Sequence, residues 1–509
     1  MEIELTGKSH RMLAMNTLAF TICFACWMLN GVLVTFLAGN EVFNWGPVEI
    51  GWLLGIPVLT GSIFRLPAGI LTDKYGGKPV FGILLLLCAI PMFFLSQANS
   101  FLGFAICSFG FGLTGVGFAV GIAFTSVWYP KNWQGRALGI FGAGNAGAAI
   151  TTMLAPTVLN QLTDNGNHLE GWRILPMYYA AALVIMGVLF LLFTTNKKPV
   201  SNGKTVRQML LPLKSMRVWR FGLYYFLVFG CFVAFSQWLV PYFTNVYYLP
   251  LVTAGLFATA FSLPSGLIRA FGGYLSDKFG GRKVMFWVLG TSIIICFLLI
   301  VPKMELRSPG KGINARNPGT VTEVTDTYIK IGKDKYALQQ KSGRLKTFEL
   351  EDLIFPVKEA WQESAVKLGD QVKRKQLIVK GNTIIAFQAN VWIFAILVFL
   401  IGSIWGIGKA AVYRLIPDYF PNEVGVVGGM VGVIGGLGGF ICPILFGYLL
   451  EGTGLWSSCW IFMFFLSAAC FVWLYNVVQN LKKQELQILT NQDPESKGIS
   501  NSLSNKKNK

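Results

Sequence analysis

The sequence predicts an all-α membrane protein: twelve transmembrane helices in two pseudo-symmetric six-helix halves, with a small β-rich extramembrane insert between helices 9 and 10. Three observations carry that reading. Of 509 residues, 53% are hydrophobic and only 13% charged, against about a quarter charged in an ordinary soluble domain. The apolar residues fall into twelve runs, each of the order of the ~20 helical residues that cross a bilayer core. One stretch of the chain recurs further along it at a constant offset. Together these exclude a disordered chain, a collagen-like chain and most soluble enzymes.

The runs are 15–38, 50–72, 79–96, 101–129, 137–160, 171–194, 221–244, 251–275, 284–301, 391–413, 424–450 and 456–475. Those at 137–160 and 424–450 are rich in Gly and Ala, which in membrane helices marks close packing. The domain boundaries follow: 1–194, N-terminal six-helix half; 195–220, linker; 221–301, first three helices of the C-terminal half; 302–390, insert; 391–476, last three helices; 477–509, basic tail. The first 14 residues lack a cleavable signal pattern, because the apolar run from Met15 is too long and no small-residue cleavage site follows.

The formal net charge is +19. In a soluble protein that surplus would suggest nucleic acid. Here Lys74, Lys78, Lys131, Arg136, Lys197, Lys198, Lys204, Arg207, Lys214, Arg217, Lys278, Arg282 and Lys283 all fall after even-numbered runs. The short loops after the first and third runs hold no Lys or Arg. The positive-inside rule then places both termini in the cytoplasm. The partner expected from this pattern is the lipid bilayer of the inner membrane, with no nucleic acid. All nine cysteines lie inside apolar runs, so Cys23 and Cys26 read as packing residues of a membrane helix, with no second pair at metal spacing. Neither cofactor nor metal is expected.

Ser62–Val80 reads SIFRLPAGILTDKYGGKPV and Gly266–Val284 reads GLIRAFGGYLSDKFGGRKV. Arg65/Arg269, Asp73/Asp277, Lys74/Lys278, Gly76/Gly280 and Gly77/Gly281 match, so helices 1–6 are a diverged copy of helices 7–12. Two such halves, with a site between them near the midplane, form a transporter architecture. The paired glycines allow a tight turn between helices. This D-K-[YF]-G-G-[KR] segment resembles the conserved loop of the major facilitator superfamily. The resemblance implies that Asp73, Lys74, Gly76, Gly77, Asp277, Lys278, Gly280 and Gly281 act in gating rather than in substrate contact.

Each arginine stands eight residues before its Asp, about 12 Å inside the helix end. An Arg at that depth costs at least ~2.5 kcal/mol to insert, and the twelve runs contain no Asp or Glu to offset it. Two such cations predict a small anionic ligand, and the planar Arg fork suits a planar oxyanion. Lys409 is a third cation inside a helix, either snorkelling to the cytoplasm or assisting anion passage.

Gly142–Gly147 and Gly110–Gly115 fit GxGxxG, but both lie on apolar helices, where the pattern means close packing rather than a dinucleotide site. GIFGAGNAGAAITTMLAP (Gly139–Pro156) and GGMVGVIGGLGGFICPILFG (Gly428–Gly447) resemble the paired signatures of the nitrate/nitrite porter family. That resemblance implies a nitrate and/or nitrite transporter, not an enzyme, in which Arg65 and Arg269 clamp the anion. It places Asn145 at the hydrogen-bonding position and Tyr225 and Phe229 in an aromatic wall. The second signature has no Asn, so unequal contributions from the halves are expected. Proton symport and nitrate/nitrite antiport both remain open, and so do a carrier of another small anion such as formate and an anion-sensing receptor. A monomer is expected.

In the insert, Thr325–Ile331 followed by the turn before Tyr336–Leu338 predicts one hairpin, and Gln376–Ile385 around Lys380-Gly381-Asn382 predicts another.

Overall fold

The computed structural model describes residues 6–198, 211–300, 304–341, 357–387, 390–420 and 424–492. Eleven helices are each long and apolar enough to cross a membrane: α1 Gly7–Gly39, α2 Pro47–Tyr75, α3 Gly77–Leu95, α4 Phe101–Ser126, α5 Arg136–Leu162, α6 Leu169–Phe193, α7 Met216–Val246, α9 Gly281–Leu299, α10 Val391–Tyr419, α11 Val426–Thr453 and α12 Ser458–Gln484. The twelfth, α8, joins Leu251–Leu267 to Arg269–Phe279 across a 43° bend. Twelve crossings among the described residues put the start of α1 and the end of α12 on one face, called here the terminal face.

The expected runs and these helices agree in number and order. They differ at the ends, where polar residues extend the helices beyond the apolar stretch. Helix α1 begins at Gly7 rather than Met15, and the helical backbone of α12 continues to Gln492 through a stretch expected to be tail. Residues 199–210 of the expected linker and 493–509 of the tail lie outside the described residues.

Irregular turns recur on helices that meet at the level of the two arginines. Helix α1 breaks at Met28, α2 at Phe64 and α8 at Ile268; α4 tightens to a 3-10 turn at Gly112–Val116, and α5 at Ala143–Ala146; α7 loosens to a π turn at Phe226–Cys231. The break in α2 has a local cause. Pro67 lacks an N–H and its ring crowds the carbonyl of Ile63, four residues back. In α8 the bend follows the Ser265-Gly266 pair, a composition that kinks helices. Broken helices at mid-depth are the hallmark of transport sites, because irregular backbone is tolerated there only when it is packed in protein or lines a cavity.

The halves meet through glycine on the side of the arginines away from the terminal face. A Cβ on Gly51 would stand 2.5 Å from the carbonyl oxygen of Pro443, one on Gly55 2.7 Å from that of Phe440, and one on Gly255 2.2 Å from that of Thr152. The hydroxyls of Thr152 and Thr259 meet at 2.8 Å across the same boundary. Helices α2 with α11, and α5 with α8, are thus packed backbone to backbone, as small residues permit within membranes.

The insert is a separate β module. Strands β1 (Met304–Asn314), β7 (Leu377–Phe387) and β5 (Val357–Ser364) form one antiparallel sheet in the order β1-β7-β5. Strands β4 (Asp334–Ala337), β3 (Tyr328–Ile331), β2 (Gly319–Val324) and β6 (Gln371–Val372) form the other. Its own small core includes Val321, Ile329, Ile331, Val372, Ile378 and Val379. The hairpin expected from Thr325–Ile331 and Tyr336–Leu338 is the β3–β4 pair, Tyr328–Ile331 against Asp334–Ala337. The one expected around Gly381 does not form. There β7 runs straight through, with Gly381 paired to Gly310 on one side and Gln362 on the other. A Cβ at Gly381 would lie 2.4 Å from the Gly310 carbonyl carbon, so this glycine serves close strand approach, not a turn.

Candidate anion site between the halves

Arg65 begins the second segment of α2, at the break, and is almost wholly buried. Its Nε donates to the Gly115 carbonyl oxygen of α4 at 3.4 Å, and its Nη1 donates to the Gly432 carbonyl oxygen of α11 at 3.0 Å. Around it stand the rings of Trp27, Phe118 and Phe229, with centroids 5.7, 5.6 and 5.5 Å from its Cζ. Each such contact contributes about 0.5–2 kcal/mol, more when water is excluded.

Arg269 holds the matching position after the break in α8 and is half-buried. Its Cζ lies 5.8 Å from the same Phe118 ring and 5.7 Å from that of Tyr413. It has no hydrogen-bond or carboxylate partner among the described residues. The two guanidinium groups, one from each half, therefore share the ring of Phe118, with no acid between them.

Asn145 lies in the 3-10 turn of α5, at 3% exposure, and neither its Nδ2 nor its Oδ1 has a partner. It faces α8, where a Cβ on Gly266 would lie 3.8 Å from its own Cβ. A buried amide with both ends unpaired costs about 1–3 kcal/mol per group and is expected where a ligand completes it. Ser62, one turn before Arg65, is buried with an unpartnered hydroxyl, and so is Thr114, next to Gly115.

Tyr225 and Phe229 stack at 4.9 Å with their planes 10° apart. The π turn between them is accommodated by α11: a Cβ on Gly435 would meet the Tyr225 ring at 2.2 Å, and one on Gly230 the Gly435 carbonyl oxygen at 2.3 Å. The glycines of the second signature thus make room. A Cβ on Gly436 would lie 2.2 Å from the Ser62 hydroxyl, and one on Gly439 2.8 Å from Val58. In the first signature, Gly144 and Gly147 do the same for α1, where added Cβ atoms would lie 2.5 Å from the Phe20 ring and 2.1 Å from the Thr21 carbonyl oxygen. This is the close packing read from the Gly142–Gly147 pattern, and the Gly110–Gly115 pattern shows it too, a Cβ on Gly112 lying 2.5 Å from the Pro57 carbonyl oxygen.

Lys409 does not snorkel. It is fully buried in α10, its Nζ donating to Ser265 Oγ at 2.9 Å and resting 3.0 Å from the Phe232 ring centroid and 6.0 Å from that of Phe229. Sequence reasoning missed Tyr413, Phe118 and Trp27. Tyr413 stands one helical turn beyond Lys409, meets Tyr225 edge to face at 5.0 Å and donates to the Gly428 carbonyl oxygen at 3.1 Å. The i, i+4 spacing from Lys409 was the signal that could have found it. Phe118 and Trp27 carry no local signal, since aromatic residues abound on every helix.

The paired loops lie at the terminal face. Gly76 and Gly280 hold φ of 87° and 85°, the left-handed region that favours glycine. Asp277 accepts from Arg414 Nε at 2.7 Å, and Asp418 accepts from its Nη1 at 2.7 Å, tying α8 to α10. Asp73 has no such ion pair among the described residues. Cys23 and Cys26 are buried free thiols, and no group of residues with metal-binding geometry occurs among the described residues.

Comparison with known proteins agrees with this architecture. The Major Facilitator Superfamily matches residues 15–307 and 376–500. A probable nitrate/nitrite antiporter of Thermus thermophilus is 38% identical over 96% of both chains. A nitrite extrusion protein of Bacillus subtilis is 23% identical, covering 92% of this chain and 95% of its own. Among solved structures, a bacterial homologue of the human lysosomal transporter Spinster superposes with a TM-score of 0.62 at 13% identity, covering 94% of this chain and 98% of its own. The Escherichia coli fucose:proton symporter gives 0.54 at 14% identity, covering 92% and 98%. The second-half match resumes at residue 376, so most of the β module is extra to the superfamily pattern. The chain belongs to the major facilitator superfamily of membrane transporters and, within it, to the nitrate/nitrite porter family.

Proposed function

We propose that this protein carries nitrate and nitrite across the cytoplasmic membrane by alternating access, with both termini in the cytoplasm and the β module outside. One observation carries the reading: guanidinium groups from opposite halves approach one buried aromatic ring, with no carboxylate among the described residues to neutralise either. A planar monoanion suits two guanidinium forks facing one ring. Each Arg fork donates to an edge of the anion, and Phe118, Phe229 and Tyr225 exclude water from its faces. Asn145 donates from Nδ2 to a remaining oxygen. The anion also offsets repulsion between Arg65 and Arg269, so its arrival favours approach of the halves and its departure favours separation. Lys409 stands beside the same aromatic wall, its Nζ 6.0 Å from the Phe229 ring centroid. The names of the relatives support nitrate and nitrite as the cargo.

Counterflow in proteoliposomes tests this reading. Internal nitrite should accelerate entry of labelled nitrate, with formate and chloride competing poorly. Equal competition by formate would shift the assignment to a general small-anion carrier. Absence of any flux, with binding retained, would favour an anion sensor. Repeating the assay with an imposed proton gradient separates symport from exchange.

A further inference from the structure

A second group of cations lies away from the boundary between the halves. Arg217 and Arg220 stand in the first turns of α7, Arg282 in the first turn of α9, and Tyr419 at the end of α10. The Cζ atoms of Arg217 and Arg282 lie 5.1 and 5.4 Å from the Tyr419 ring centroid, and that of Arg220 lies 5.9 Å from Phe221. None of the three has a carboxylate partner among the described residues. Asp277 near the end of α8 and Asp418 near the end of α10 are both taken by Arg414. Arg220 and Arg282 line a cavity together with Tyr224 and Tyr419, whose remaining wall is apolar and includes Leu415 of α10 and Leu474 and Val477 of α12. Tyr224 belongs to that lining, and its hydroxyl is buried with no hydrogen-bond partner.

We propose that Arg217, Arg220 and Arg282 bind the phosphate of an anionic phospholipid at the terminal face, with the Tyr224 hydroxyl donating to the same phosphate. Guanidinium forks match phosphate oxygens, and basic pockets between membrane helices at the cytoplasmic interface recognise anionic headgroups. The apolar wall separates a lipid from the transported anion as occupant, because a small oxyanion gains nothing from the half-buried Val477 and Val478 whereas an acyl chain covers them. Met216 and Trp219, both exposed beside the arginines, place the cluster at the membrane–water boundary. The site needs only the membrane placement of the chain and is independent of which anion is carried.

Native mass spectrometry of the full-length protein, titrated with phosphatidylglycerol or with phosphatidylcholine of the same acyl chains, tests the proposal. Wild type should retain phosphatidylglycerol preferentially. Arg282→Gln, an exposed change that leaves the fold alone, should weaken retention about fivefold, as expected for one basic contact to an anionic lipid. Tyr224→Phe, which removes only the hydroxyl, should also reduce it at an unchanged melting temperature. Equal retention by wild type and both variants would overturn the proposal. Binding of inorganic phosphate without any preference for the anionic lipid would overturn the lipid assignment.

Discussion

Arg65 Nη1 donates to the carbonyl oxygen of Gly432 at 3.0 Å, so an arginine of the N-terminal half is anchored on a helix of the C-terminal half. Arg269 has no comparable anchor among the described residues and is less buried. The two members of a symmetric sequence pair therefore stand in different states. Arg65 is held by backbone of both halves, whereas Arg269 is free to engage a ligand. An anion arriving at Arg269 while contacting Arg65 would act at the point where the halves are tied.

Asn145 tests whether the orphaned amide belongs to the anion. Replacing it with Ala removes one hydrogen bond to a charged ligand, worth about 1.5–3 kcal/mol. Uptake kinetics should show an apparent nitrate affinity lowered roughly 10- to 100-fold, at the same or a higher melting temperature, because the unpaired buried amide is gone. Unchanged affinity would remove Asn145 from the site.

Gly255 tests the closure between α5 and α8. A valine there would hold its Cβ 2.2 Å from the Thr152 carbonyl oxygen, well inside van der Waals contact. The halves must then separate on that side. Transport should fall about fivefold or more, given the ~1–3 kcal/mol typical of overpacking. Hydrogen exchange should rise over residues 147–162 and 251–267. Transport and exchange both at wild-type levels would show that this contact does not control the cycle.

Lys409 tests the coupling. It is a fully buried amine beside the site, hydrogen-bonded only to a serine among the described residues. Lys409→Gln should preserve nitrate–nitrite exchange at weakened affinity and abolish any stimulation by an imposed proton gradient. Persistence of that stimulation in the variant would place the coupling group elsewhere.

The β module should be dispensable for transport. Met304 and Phe387 are cross-strand partners, so the ends of the module lie about 5 Å apart, and its core is its own. Replacing 304–387 with a short Gly-Ser linker should leave nitrate flux within about twofold. Loss of flux, with the protein still inserted and monodisperse, would assign the module a part in transport.

Much of this fold was legible in the chain because bilayer crossing imposes a length and composition on each helix, and the repeat fixes the relation between halves. Arg65 and Arg269 stood out because charged groups at mid-depth are rare, and Asn145 because its segment resembles the nitrate/nitrite porter signature. The aromatic partners did not. Phe118 and Trp27 are two among many rings, and only the three-dimensional approach of α1, α4, α7 and α10 selects them. Lys409 looked equally able to reach water or stay inside, because snorkelling depends on side-chain direction, which the position of Ser265 decides. Gly381 was misread as a turn because a glycine that starts a hairpin and one that lets three strands approach carry the same letter. The ends of α1 and α12 were missed because helix persists into water once started, beyond the apolar run that announces it.

The most direct measurement is nitrate transport by Arg65→Lys and Arg269→Lys in proteoliposomes, beside nitrate binding by the same proteins. Lysine keeps the charge but loses the planar fork. The clamp predicts that each variant inserts and folds yet loses at least about tenfold in transport and binding, with Arg269→Lys affecting nitrate affinity more cleanly because Arg65 also holds the backbone of Gly432. Wild-type transport and affinity in either variant would contradict it.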